Sequence, residues 1–185
     1  METFPPDDGR LAELILYIAD RCSDWEGFDA LLLDRILFQA DFLHYRAHGR
    51  PITGQAYRRG PAGPSPRGLS RVLRGLARAF AFEEIPAGDG LHVRRRPQAL
   101  RAARLDRFGD SELAAVDEVI GHYRGRGNAS DPLTIPWEGA APREVIPYPL
   151  ALLAPEPTTP RKPEAAAWRG GRARIRDMAP QSTAR

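Results

Sequence analysis

The chain has 185 residues, of which 42% are hydrophobic and 28% charged, which is ordinary for a globular protein. This length predicts one domain with tails. The net charge of +3 is too small to indicate a nucleic-acid-binding protein by itself. Residues 161–185 carry +5, which leaves −2 for the rest of the chain. We therefore expect a mildly acidic body with a basic tail.

The sequence also bears on the cellular compartment. Cys22 is the single cysteine, so the chain has no intrachain disulfide, which suits a reducing cytosol. The N-terminal residues lack the basic and apolar regions of a secretory signal. No apolar run approaches the roughly 20 residues that a membrane span needs. We expect a cytoplasmic protein with no membrane association.

Two amphipathic helices open the predicted fold. Apolar residues at helical spacing predict a first helix over about residues 10–22, capped by one of the two aspartates before it. A wider apolar arc predicts a second, central helix over about residues 30–48. Gly49 ends this helix, and Pro51 forbids its continuation.

A short strand over residues 52–58 and a loop over residues 60–68 follow. The loop is predicted from its density of glycine and proline. Ser65 and Pro66 are typical of a helix start, as a hydroxyl cap followed by proline at the first helical position. The third helix then carries an apolar face that we expect to be buried: Leu69, Val72, Leu73, Leu76 and Phe80.

The second half of the body contains a hairpin and another helix. Residues 81–86 and 91–95 fit the two strands of a hairpin. A fourth helix fits residues 110–123, with Ser111 as a possible cap, and an extended, proline-spaced segment fits residues 144–153.

Together these elements predict a mostly helical α+β fold, with a compact helical core, a short strand and a small β-hairpin. We expect this domain to span residues 1–153. Residues 154–185 are rich in proline, arginine and alanine and have no core periodicity. They are expected to form a disordered tail.

The sequence lacks the common catalytic motifs. H-E-x-x-H, G-x-S-x-G and the phosphate-binding G-x-x-x-x-G-K-[ST] are all absent. Asp41, His44 and His48 have a metal-like spacing on one helical face, but no fourth ligand is evident. We therefore expect no enzymatic activity, no cofactor and no metal.

The strongest signal outside the core is basic. Four arginines, which we call the arginine ridge, lie on one side of the third helix: Arg67, Arg71, Arg74 and Arg78. Arg58 and Arg59 precede this helix, and three arginines, residues 94–96, close the hairpin. The pattern has three interpretations: a solvated helix face, a surface for an acidic protein, or a winged-helix-like contact with nucleic acid.

Several motifs resemble those of the Panacea domain, also called the SocA-like antitoxin domain. The first covers residues 36–46 (ILFQADFLHYR) and 49–54 (GRPITG), and the next runs from Tyr57 through residues 60–66 (GPAGPSP). Residues 117–120 (DEVI), Trp137 and residues 146–148 (IPY) follow in the family's order. The resemblance covers about residues 11–153. The chain departs from it over residues 129–138, where the family commonly has a serine-histidine-acidic helix.

The resemblance implies an antitoxin of a bacterial, phage or prophage-associated toxin–antitoxin pair. It implies neutralisation of a partner toxin by direct protein binding or as an adaptor for an intracellular protease. Operator DNA is a further possible partner, through repression of a shared operon. The family's motif positions are expected to be structural more than functional: Asp41, His44, Gly49, Arg50, Pro51, Thr53, Gly54, Gly63, Pro64 and Trp137.

Overall fold

The computed structural model describes residues 4–87, 94–127 and 130–155. Over these residues the fold is mostly helical α+β, as the sequence predicts. Four α-helices form its body: α1 (Asp8–Arg21), α2 (Ala30–His48), α3 (Leu69–Arg78) and α4 (Asp110–Arg126). Five strands lie between or after them: β1 (Tyr57–Gly60), β2 (Gly63–Pro66), β3 (Phe82–Ala87), β4 (Arg94–Ala99) and β5 (Val145–Ile146). Three 3-10 helices complete the described chain: Leu105–Arg107, Trp137–Gly139 and Tyr148–Leu153.

Helix α2 has the bounds that the sequence predicts, whereas α1 begins at Asp8, two residues before its predicted start, and ends at Arg21. The Asp7 carboxylate accepts a hydrogen bond from the Arg10 backbone N–H at 2.8 Å and caps α1. The Asp29 carboxylate caps α2 in the same way, through the Leu32 N–H at 2.9 Å. Gly49 ends α2 with φ at +71°, a left-handed conformation that glycine adopts without steric cost.

The core lies around α2, which contacts α1, α4, strands β2 and β4, and the last 3-10 helix. Its large apolar side chains are fully buried, and the inward faces of α1 and α4 complete the packing. Cys22 belongs to this core, and burial raises the pKa of its thiol to about 12. No helix among the described residues is long and apolar enough to cross a membrane.

The strand and loop predictions after α2 are partly wrong. The strand begins only at Tyr57, and the predicted loop over residues 60–68 is largely the second strand of a hairpin. The sheet order is β2-β1-β5, so β2 is an edge strand. Pro64 and Pro66 fit there because an edge strand has one side on which a missing N–H is not needed.

The start of α3 also differs from the prediction. Ser65 lies in β2 and does not cap the helix, which begins at Leu69 after Gly68. Val72 and Leu76 are buried as predicted, whereas Phe80 lies beyond the end of the helix and is exposed.

The predicted hairpin exists, with β3 and β4 paired antiparallel from Phe82–Ala99 to Ala87–Arg94. Its second strand runs further along the chain than predicted, and residues 88–93 lie outside the described part. Helix α4 extends to Arg126, and Ser111 does not cap it; instead the Glu112 carboxylate accepts a hydrogen bond from the Gly109 N–H at 2.8 Å. The segment predicted to be extended contains β5 and the last 3-10 helix.

The last two described residues contact the domain. Ala154 is buried, and the Pro155 carbonyl accepts a hydrogen bond from Arg46 Nη1 at 3.2 Å. The predicted disorder of the tail beyond these residues concerns residues 156–185, which lie outside the described part of the chain.

A chain truncated after Pro155 is expected to unfold with the same free energy as the full chain, because Ala154 and the Arg46 contact are kept. A chain truncated after Leu153 is expected to be less stable by about 1 kcal/mol, since it loses the packing of one small side chain. Urea unfolding of the three chains measures both effects. A large loss of stability in the chain truncated after Pro155 would show that residues 156–185 pack on the domain.

Candidate functional site

A buried carboxylate lies within the sequence motif over residues 36–54. Asp41, on α2, is fully buried, and its carboxylate accepts hydrogen bonds from the Thr53 N–H at 2.8 Å and from the Thr53 hydroxyl. The Tyr57 hydroxyl donates to it at 2.8 Å. The Tyr148 hydroxyl lies 3.4 Å away and donates to the Gln55 carbonyl at 2.7 Å. The carboxylate therefore joins α2, the loop after it, β1 and the last 3-10 helix.

This environment gives the Asp41 carboxyl a structural role. Burial raises its pKa, while the hydrogen bonds from Thr53 and Tyr57 act in the opposite direction. Burial also raises the pKa of the Tyr57 hydroxyl well above its usual value, so this phenol stays a donor. The accepting lone pairs of Asp41 are used within the fold.

The three residues with metal-like spacing do not converge. Asp41 faces Thr53, whereas His44 Nδ1 lies 2.7 Å from the Arg50 carbonyl and Nε2 lies 3.2 Å from Ser111 Oγ. Burial lowers the pKa of His44, which favours a neutral ring that donates to the carbonyl and accepts from the serine. The exposed ring of His48 stacks on His44 at 4.5 Å. Over the described residues, no group of histidine, cysteine and carboxylate side chains is arranged to hold a metal ion.

The remaining motif residues shape turns. Gly54 has φ at +66°, and a Cβ on it would lie 2.5 Å from the Pro5 carbonyl oxygen, so only glycine fits. Gly63, with φ at +127°, opens β2, and Pro64 is buried after it. Pro51 is buried beside the exposed Arg50.

Trp137 is half-buried and lines a cleft of about 140 Å³. The other lining residues come from α2, from the turn between β1 and β2, and from Asp131. Polar groups of the cleft are engaged within the fold. Arg35 pairs with Asp131 at 2.6 Å, and the Gln39 amide binds both backbone groups of Leu133.

Arg58 and Arg59 do not share the exposure of the arginine ridge. Both are half-buried on β1. Arg59 Nη1 donates to the Glu138 carbonyl at 2.7 Å and to the Ala140 carbonyl at 2.5 Å, so it holds the 137–140 segment against the sheet. Arg59 is therefore engaged within the fold, and its contact with a partner stays a prediction.

All four members of the arginine ridge are exposed. Arg71 pairs with Asp8 of α1, with Nη2 2.5 Å from the carboxylate, and so ties α3 to α1. Arg67, Arg74 and Arg78 form no ion pair with any carboxylate of the described chain. Two of these guanidinium groups, those of Arg74 and Arg78, lie on α3, and Arg67 lies two residues before its start.

A groove of about 460 Å³ lies between α3 and the β3–β4 hairpin. Its apolar lining comes from both elements and from the ends that join them: Leu73, Ala77, Phe80, Phe82 and Leu100. Arg74 and Arg95 line it together with Glu83 and Glu84. We call this the α3 groove.

The hairpin side of the α3 groove is anchored to α1. Arg101, two residues after β4, makes a bidentate ion pair with the buried Glu13, with distances of 2.7 and 2.8 Å. The Arg104 N–H donates to the same carboxylate at 2.8 Å. The Arg101 guanidinium lowers the pKa of Glu13 and keeps it charged. Through the pairs Arg71–Asp8 and Arg101–Glu13, α1 positions both walls of the groove.

Phe80 is the residue of this surface whose role the sequence does not reveal. Its spacing from Leu76 places it on the buried face of a continuous helix, but α3 ends at Arg78 and Phe80 is 85% exposed. The available signal is the absence of glycine between residues 76 and 87. A helix that ends there must put another residue type at the position after its cap.

The chain was compared with protein-family models, curated proteins and solved structures, and none of them matches it.

Replacing Asp41 with alanine is expected to destabilise the fold by about 3 kcal/mol. The substitution leaves the Thr53 N–H and the Thr53 hydroxyl buried without their acceptor, at about 1–3 kcal/mol for each group, whereas the Tyr57 hydroxyl keeps the Leu37 carbonyl at 2.9 Å. Urea unfolding measures the loss, with Asp106→Ala as a control at an exposed aspartate. An Asp41→Ala variant as stable as the control would contradict the structural role of this carboxylate.

Proposed function

We propose that the protein is an antitoxin that neutralises a partner toxin by binding it directly through the arginine ridge and the α3 groove. The observation that carries this proposal is that α3 and the residues just before it expose Arg67, Arg74 and Arg78, and that Arg74 also lines a groove with apolar side chains. Arginine is favoured at protein interfaces because its planar fork makes bidentate bonds and its stem packs on apolar surface.

The distribution of polar groups supports a binding role over a catalytic one. The buried polar side chains that resemble a site, Asp41 and His44, bind the loop after α2. They lie in a packed region, whereas the exposed charge lies on α3. The antitoxin identity itself rests on the resemblance of the sequence motifs and stays a prediction.

The nature of the surface indicates the chemistry of the toxin. Unpaired arginines beside apolar side chains favour a partner whose contact surface is acidic. Delivery of the bound toxin to an intracellular protease is compatible with the same surface. In that case the toxin's half-life in cells falls when the antitoxin is present, whereas direct capping leaves it unchanged.

Charge reversal on α3 tests the proposal. The Arg74→Glu/Arg78→Glu variant is expected to keep its fold, because both side chains are exposed, and to bind the toxin at least about tenfold more weakly. The candidate toxin is the product of the reading frame next to the gene of this chain. Co-expression of the variant with this product measures rescue of growth. Arg71 is left unchanged because its reversal would also oppose Asp8.

The matched control is Arg50→Glu/Arg143→Glu, which changes the net charge equally at two exposed arginines outside α3. This control is expected to rescue growth like the unmodified chain. Full rescue by the folded Arg74→Glu/Arg78→Glu variant would place the interface elsewhere.

A second candidate function is nucleic-acid binding, such as repression of a shared operon at operator DNA. The order of α3 followed by the β3–β4 hairpin favours it, since a winged-helix reader has a basic helix followed by a basic hairpin. Against it, carboxylates already lie beside several of the arginines. Arg71 pairs with Asp8, and on the hairpin Arg95 lies 3.4 Å from Glu84.

Salt dependence decides this alternative. Binding of a duplex from the upstream region through several phosphate contacts is expected to weaken steeply between 50 and 200 mM salt, by roughly 10³-fold for about six contacts. Fluorescence anisotropy measures the affinity, with Arg74→Glu/Arg78→Glu as the variant. Absence of binding at low salt would remove the nucleic-acid function and leave the protein-binding proposal intact.

A further inference from the structure

The C-terminus of α3 closes with a glycine-type cap that contains no glycine. The Ala81 N–H donates to the Leu76 carbonyl at 2.9 Å, and the Phe80 N–H donates to the Ala77 carbonyl at 3.1 Å. These two bonds form a Schellman motif, in which the residue after the cap is left-handed and is usually glycine. Here that residue is Phe80, with φ at +50°.

Phenylalanine at this position is unfavourable for the isolated chain in two ways. A bulky side chain at positive φ is a steric outlier, and the left-handed conformation carries a cost that glycine avoids. Burial of the ring does not compensate, because Phe80 is 85% exposed. Gly49, which ends α2 in the same left-handed region, shows the usual solution.

The surroundings of Phe80 indicate what its ring is for. It stands at the edge of the α3 groove, beside Ala77 and the 45% exposed Leu100. Arg74 lines the same groove, and Arg78 lies two residues before the ring, both exposed and without an ion pair to the described carboxylates. An exposed aromatic ring in a groove that an exposed arginine also lines has the composition of an interface hot spot.

We propose that Phe80 is the anchor of the toxin interface, and that it inserts into an apolar pocket of the partner protein that is rimmed by carboxylates. This inference rests on the proposed function and names the partner's chemistry. The backbone at the end of α3 holds the ring away from the domain's own core, where a continued helix would have buried it. Strain at this position is therefore retained for binding.

Charge argues for an acidic protein as the occupant over a second copy of this chain. An isologous dimer sets the same surface against itself, so with its axis at Phe80 the Arg74 and Arg78 side chains of the two copies would lie near each other. Of the two carboxylates that line the groove, Glu84 is already paired with Arg95. Like charges brought together in this way oppose association. A partner with carboxylates around its pocket satisfies both the ring and the arginines.

The first test measures stability. Phe80→Gly is expected to raise the melting temperature by about 2 °C or more, because glycine relieves the left-handed strain and little burial is lost. The control Ala79→Gly, one residue earlier at φ −85°, is expected to lower it. A lower melting temperature for Phe80→Gly would show that the ring stabilises the domain and would overturn the proposal.

The second test measures binding with a defined probe, a displayed library of random 12-residue peptides selected on the full chain. The expected binders carry an apolar residue flanked by Asp or Glu. Phe80→Gly is expected to weaken them about 30-fold, the effect of losing a hot-spot side chain. Leu153→Ala, which removes an apolar side chain that is 70% exposed and lies outside the α3 groove, is expected to leave the affinity unchanged.

Four outcomes of this test overturn the inference: no enriched peptide, a basic consensus, an affinity that Phe80→Gly does not change, or an apolar-acidic consensus that Leu153→Ala weakens equally. Micromolar self-association that Phe80→Gly abolishes also overturns it, because the occupant is then a second copy. The inference is also overturned if single-stranded DNA stacks on Phe80 and binds the chain more tightly than the selected peptides do. None of these measurements uses the toxin, so failure of growth rescue by the unmodified chain counts against the antitoxin function alone.

Discussion

The fold depends on one buried carboxylate. The Asp41 carboxylate accepts hydrogen bonds from the N–H and hydroxyl of Thr53 and from the hydroxyl of Tyr57. The Tyr148 hydroxyl lies 3.4 Å from Asp41 Oδ2. These partners are 12, 16 and 107 residues away along the chain. A single buried carboxyl group thereby connects the chain after α2, strand β1 and the last 3-10 helix. Without it, the N–H and the hydroxyl of Thr53 would lose their acceptor, and the Tyr57 hydroxyl would be left with the Leu37 carbonyl alone.

This constraint separates the structural part of the molecule from the part available for binding. The most distinctive sequence motif, around residues 36–54, is used to turn the chain and is largely buried. Exposed arginines without an ion pair to the described carboxylates are found on α3 instead. Helix α1 contacts α3 through Asp8 and the segment after β4 through Glu13. Both sides of the α3 groove are thereby connected to α1 by ion pairs.

The sequence predicts the elements whose ends carry strong local signals. Helix α2 begins after Asp29 and ends at Gly49, and both signals are local to the chain. The sequence does not predict the hairpin over residues 57–66, because its prolines are typical of a loop. Proline is compatible with β2 only because β2 is an edge strand, and its place in the sheet is decided by tertiary structure. For the site, the helical spacing of the four arginines of the arginine ridge predicts their exposure, which the structure confirms. Spacing misplaces Phe80 because the helix ends two residues earlier, where no glycine marks the end.

Hydroxyl-radical footprinting tests the central claim most directly, because it reports the solvent access of each phenylalanine in the full chain. The account predicts strong oxidation of Phe80 in the free protein and little oxidation of the buried Phe38 and Phe42. It further predicts protection of Phe80 when the product of the adjacent reading frame is bound. A Phe80 ring as unreactive as Phe42 in the free chain, or equally reactive in the free and bound chains, would contradict the account.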